Sequence, residues 1–172
     1  MKRLTHTSLS LAAVALFSLG TAVLQAQGNN RGEAKATVGP AHVTIDYGRP
    51  GLQGRDPLGM IKPVQVWRLG AGAPTTLDAD QDLLFGNTRV PKGRHILLAQ
   101  MVGPGKWVLL VSNKAANEYG PGAKIAETPM KVGSAQDSVE ELAIKLTGHQ
   151  KQGNIAVAWG TSRLAASFSA AP

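Results

Sequence analysis

The sequence predicts an all-β protein, an antiparallel β-sandwich or flattened barrel of about eight to ten short strands. Three observations carry this expectation. Apolar residues recur in short runs with a period of two, the spacing of a half-buried strand. Turn-forming residues interrupt those runs every few positions, with 20 Gly and 10 Pro among 172 residues. The core must also be built from Val, Leu, Ile and Ala, because only 5% of the residues are aromatic.

The elements follow in order. Lys2 and Arg3 precede an almost unbroken uncharged apolar run from Leu9 to Leu24, which is the pattern of a secretory signal peptide. The run is shorter than the roughly 20 apolar residues of a spanning helix and leads into a polar stretch at Gln27. Cleavage after Ala26 is expected, leaving no transmembrane segment in a mature chain that is periplasmic or secreted. Removing 1–26 takes away Lys2 and Arg3 and no acid, so the formal charge falls from +7 to +5 over the remaining 146 residues. Residues 27–35 read as a flexible tail and 36–172 as one β-sandwich domain.

Ala41 to Tyr47 alternates, with Val43, Ile45 and Tyr47 on one face and His42, Thr44 and Asp46 on the other. The segment 48–59 holds four Gly and two Pro, so no regular element can occupy most of it. Strands are expected at Val64 to Arg68, Thr75 to Leu77 and Leu83 to Phe85. Gly86-Asn87 is a two-residue hairpin signal, and Pro91-Lys92-Gly93 turns the chain before Arg94 to Val102. Trp107 to Ser112 follows, then a loop from Asn113 to Gly122. Further strands are expected at Lys124 to Val132, Glu141 to Thr147, Ile155 to Trp159 and Arg163 to Ser169. Ser134 to Leu146 also has helical spacing at Val139, Leu142, Ala143 and Leu146; an acidic turn at 136–140 followed by a strand fits the all-β pattern better.

Composition and motifs exclude several functions. There is no Cys, hence no disulfide framework, no thiol nucleophile, no Cys-ligated metal and no lipid attachment site. The cations are scattered singly and form no basic run, so nucleic acid is not an expected partner. His42, His95 and His149 lack metal-ligand spacing. Asp78-Ala79-Asp80-Gln81-Asp82 fails as a calcium loop, because Leu83 stands where Gly is needed and Arg89 where a bidentate Glu would fall. No Gly-x-Ser-x-Gly elbow and no glycine-rich phosphate loop before a helix occur. No metal and no cofactor is expected.

The ordered blocks Tyr47-Gly48-Arg49-Pro50, Gly54-Arg55, Val66-Trp67-Arg68 with Gly70-Ala71 and Thr75-Thr76, Pro91-Lys92-Gly93, and Trp107-Val108-Leu109 with Asn113-Lys114 span most of the mature chain. In that order they resemble the exported bacterial domain-of-unknown-function family 2911. The resemblance implies an exported β-rich domain and no assigned reaction. It extends to Tyr47, Arg49, Arg55, Trp67 and Arg68. Gly72 and Ala73 replace the polar pair usual in the family, and His95 stands where an aromatic residue follows the proline-glycine turn.

The candidate ligand-binding set is therefore Tyr47, Arg49, Arg55, Trp67, Arg68 and His95. Guanidinium forks suit carboxylate, sulfate or phosphate, and Trp offers a flat face to a sugar ring. The expected function is a binding or interaction module for an anionic or carbohydrate ligand or an envelope protein. The alternatives are an envelope hydrolase acting on a glycan or small anionic metabolite, and a purely structural domain whose arginines tie down the glycine-proline loop. A pocket joining the arginines to an acid or His95 favours the hydrolase; arginines bonded to backbone carbonyls favour the structural domain.

Overall fold

The computed structural model describes residues 30–172. The expected signal peptide, 1–26, and the start of the expected tail, 27–29, lie outside the described residues. Ten strands account for most of the rest: β1 (Arg31–Val38), β2 (Ala41–Gly48), β3 (Val66–Trp67), β4 (Thr76–Ala79), β5 (Leu83–Phe85), β6 (Thr88–Val90), β7 (Gly93–Gly103), β8 (Lys106–Ser112), β9 (Lys124–His149) and β10 (Gln152–Ala170). One turn of 3-10 helix, Ala116–Glu118, interrupts the loop between β8 and β9.

All pairings are antiparallel, in the order β1-β2-β4-β7-β8-β9-β10-β5-β6, with β3 beside β4 on the same edge of β7. The all-β antiparallel class is as the alternation requires. The sheet does not close into a barrel, but it curls until β1 reaches the β9–β10 turn, where the Gly39 amide donates to the Gln150 carbonyl. Gly148 permits this approach, since a Cβ there would stand 2.9 Å from the Thr37 carbonyl carbon and nearer still to its oxygen. Curling brings one face of every main strand onto a single core. Ile45, Leu77, Leu97, Leu109, Leu142 and Ile155 are fully or almost fully buried in it. Burial of each such side chain contributes about 1.5–3 kcal/mol before chain entropy is counted.

The structure corrects three expectations. Residues 31–35, assigned to a flexible tail, form the first part of β1 and pair in full register with β2 from Arg31–Gly48 to Val38–Ala41. Alternating Ala34, Ala36 and Val38 give that stretch an apolar face, which short alanines make inconspicuous in the sequence. The acidic turn at 136–140 does not form, because β9 runs through it. The four short strands expected after Lys124 are two long ones, of 26 and 19 residues. Irregularities in the β9–β10 register between Ala158 and Gly160, and between Gly160 and Ser162, let the ladder bend without ending. The Gly86-Asn87 hairpin is present, with Gly86 at φ 61° between β5 and β6.

A second, smaller apolar layer lies on the opposite face. Leu98 and Leu110, paired across β7 and β8, are buried there beneath the 113–123 loop, outside the main core. That loop and the 69–75 segment stand as two walls on the outer face of the sheet, with an open cleft between them.

Candidate binding site

The six residues singled out from the sequence are not gathered into one cleft. Tyr47 faces the core and donates its hydroxyl to the Ile144 carbonyl at 3.3 Å, joining β2 to β9. Arg49 pairs with Glu141 at 2.8 Å, and Glu141 also accepts from the Asn30 amide at 2.6 Å. Arg55 donates to two carbonyls of its own loop, Gly51 at 2.7 Å and Leu52 at 3.1 Å. Trp67 packs against the other two tryptophans, stacked on Trp159 and edge-on to Trp107. Arg68 reaches the Gly72 carbonyl at 3.4 Å, and the His95 ring nitrogen Nε2 contacts the Pro91 carbonyl at 2.7 Å.

These contacts explain why such residues stand at such spacing. The 49–55 loop is rich in Gly and Pro and half-buried over Arg49 to Leu52, so its polar backbone groups need partners. Strand β9 supplies them. The Leu52 amide donates to the Glu140 carbonyl, the Leu142 amide to the Pro50 carbonyl, and the Gln53 amide to the Glu140 carboxylate. Gly48 is required by the neighbouring loop: a Cβ there would stand 2.8 Å from the Ala71 carbonyl carbon and closer to its oxygen. Thr75, 1% exposed, fixes the far end of that loop by donating to the Leu69 carbonyl at 2.9 Å. The Tyr47-Gly48-Arg49-Pro50 block, the 51–55 loop and the 69–75 loop thus meet, with β9, as a brace.

A different set of residues lines an open cleft. An open depression of about 670 Å³ lies on the outer face of β2, β4, β7 and β8, between Ala73-Pro74 on one wall and Asn113 on the other. Arg31 and Asp46 close one end as an ion pair; the Arg31 Nε to Asp46 Oδ1 distance is 2.7 Å. Arg31 also donates to the carbonyls of Ala73 and Pro74, each at 3.2 Å, so it fastens β1 to that wall. Arg94 borders the cleft from β7, with a side chain 72% exposed whose one polar contact among the described residues is Asp78 at 3.3 Å. Ile96 and Ile125 provide apolar lining, and His95 borders it. A smaller adjoining depression, about 340 Å³, shares Asp46, Thr76 and Arg94 and adds Glu33, Lys35 and Asp78.

Sequence reasoning missed Arg31 and Arg94, a tail residue and one of many scattered cations, and left Asp46, one of several acids available for paired-carboxylate chemistry, outside the candidate set. The available signal was the outward parity of Asp46, Thr76 and Asp78, but register decides which of these become neighbours. Asp46 lies opposite Thr76, and Asp78 opposite Arg94.

The aspartates at 78, 80 and 82 have separate structural partners. Asp78 faces Arg94, Asp80 accepts from the His42 amide at 2.7 Å, and Asp82 accepts from Arg89 and from the Lys92 amide, both at 2.9 Å. The Lys92 hydrogen bond, followed by that from Arg89, holds the Asp82 carboxyl below its usual range. Among the described residues no group of three or more His, Asp or Glu is placed to hold a metal ion, and no helix is long and apolar enough to cross a membrane.

Fold and cleft together define a curled antiparallel β domain that braces its long loops internally and presents an open, mixed polar and apolar depression on one sheet face. The chain belongs to the family described as "Protein of unknown function (DUF2911)", whose model matches residues 29–168. No curated protein and no solved structure matches the chain.

Proposed function

We propose that the protein is an exported binding module, acting in the periplasm or outside the cell, that takes a small anionic or sugar-like ligand into the cleft between Pro74 and Asn113. Arg94 carries the reading. Its guanidinium is mostly exposed and touches Asp78 through Nε, so among the described residues both Nη groups are left to form a fork with a carboxylate or sulfate. Asp46 bonds Arg31 through Oδ1, leaving Oδ2 to accept from a sugar hydroxyl. Pro74, Ile96 and Ile125 supply the apolar surface that a sugar ring's C–H face needs. Binding is favoured over hydrolysis because the cleft's acid is already ion-paired and the His95 Nε2 is engaged by Pro91.

The test is isothermal titration of the protein with uronic acids, sugar sulfates and simple dicarboxylates, repeated on Arg94→Ala. A ligand whose affinity falls at least tenfold in Arg94→Ala, with the melting temperature unchanged, supports the reading. A second reading, a purely structural domain, is favoured by Arg55 and Arg68 donating to backbone carbonyls. It prevails if no compound in the panel binds.

A further inference from the structure

A second depression, about 410 Å³, lies on the β9–β10 hairpin where its two halves meet. Its floor is almost wholly apolar. Ala143 lies opposite Ala158 and Lys145 opposite Ala156 in one half; Lys131 lies opposite Ala165 in the other. Ala143, Ala156 and Ala158 stand at positions alternating with the core residues Ile144 and Val157, on the side away from the core, where polar residues are expected on a solvated strand.

The rim carries charge of one sign. Lys131, Lys145 and Arg163 all border the groove. Arg163 is committed to Asp137, at 3.0 Å, and to neighbouring carbonyls. Among the described residues neither Lys131 nor Lys145 has an acidic partner within ion-pair distance. An apolar floor beneath two uncompensated ammonium groups matches a molecule with a hydrocarbon chain and an anionic head. It fits a second copy of this chain poorly, because a two-fold contact through this face would bring the same lysines together. The volume is that of a small-molecule site.

We propose that this groove binds a single-chain anionic amphiphile, a long-chain carboxylate, with its hydrocarbon on the alanine floor and its carboxylate against Lys131 and Lys145. The site is separate from the Arg94 cleft and needs none of its residues.

The test is calorimetric titration of the protein with dodecanoate below its micelle concentration, against dodecyltrimethylammonium as a cation of the same chain length and acetate as the head group alone. One dodecanoate per chain is expected, with at least tenfold weaker binding of the ammonium and none of acetate. Lys131→Gln with Lys145→Gln should weaken dodecanoate at least tenfold, Ala156→Trp should abolish binding by filling the floor, and Arg94→Ala should leave it unchanged. If Ala156→Trp does not fold, the lysine pair decides alone. Equal binding of both amphiphiles, insensitivity to the lysines, or no binding would overturn the proposal. So would a dimer in sedimentation that Ala156→Trp dissociates.

Discussion

Trp67 lies flat on Trp159, with ring centroids 6.1 Å apart and planes 9° from parallel, while Trp107 meets Trp67 edge-on at 6.4 Å. All three tryptophans of the chain share this cluster. Residues far apart in sequence, on β3, β8 and β10, are thereby joined under the glycine-proline loop, whose Leu52 and Pro57 approach Gly160. Trp67 is the partly exposed member, so Trp67→Ala should cost about 2–3 kcal/mol, below the 3–5 of a fully buried Trp. Urea unfolding gives the cost. Near-ultraviolet circular dichroism should lose the strong signal of the stacked pair while the far-ultraviolet spectrum stays that of a β protein.

Gly48 and Ala71 approach so closely that Gly48→Ala must displace the 69–72 loop or β2 itself. A cost of about 3 kcal/mol or more is expected, at the upper end for overpacking, because the obstacle is backbone and not a flexible side chain. Gly133→Ala is the control. It lies on an extended strand with nothing among the described residues within 4 Å of the added methyl, and its stability should change by less than about 0.5 kcal/mol. Equal effects of the two substitutions in denaturant titrations would contradict the bracing role assigned to the Gly48 segment.

Arg49 and Glu141 form an ion pair whose side chains are 35% and 41% exposed. Solvent screening limits its coupling, measured by a double-mutant cycle, to about 0.5–1 kcal/mol, decreasing with added salt. Loss of ligand binding in Arg49→Ala, with little change in stability, would instead restore Arg49 to a binding role.

The fold class was legible because a period of two survives in nearly every segment from Ala41 onward, and because Gly86-Asn87 and Pro91-Lys92-Gly93 mark turns by backbone chemistry alone. Strand ends were less legible. Gly160, at φ 58°, looks like a terminator in sequence, yet in β10 it sits in a bulge that bends the ladder and continues it. The candidate site was legible only as chemistry. Arg49, Arg55 and Arg68 were recognisable as guanidinium forks, but Arg49 meets its partner Glu141 only where β9 returns some 90 residues later, and Arg55 and Arg68 turn back onto carbonyls three or four residues away because of how their loops bend. The Arg31–Asp46 pair needed β1, whose apolar face is mostly alanine and gave a weak signal.

Asp82 makes acid stability a direct test of the β5–β6 region. Its carboxylate accepts the Lys92 amide and Arg89, and its carbonyl accepts the Ala171 amide, so one residue ties the hairpin to the end of β10. Because its folded pKa is depressed, its stabilisation is fully present above the unfolded value, about pH 4, and is lost as pH falls through the lower folded value. Asp82→Asn keeps a hydrogen-bond acceptor for Lys92 but carries no charge. At pH 6 it should melt below the parent protein, and the gap should narrow steadily below about pH 4, as the parent carboxyl is itself neutralised. Melting curves of both proteins between pH 2 and pH 6 measure this. A gap independent of pH would show that the charge contributes nothing and that the shape of the side chain alone matters.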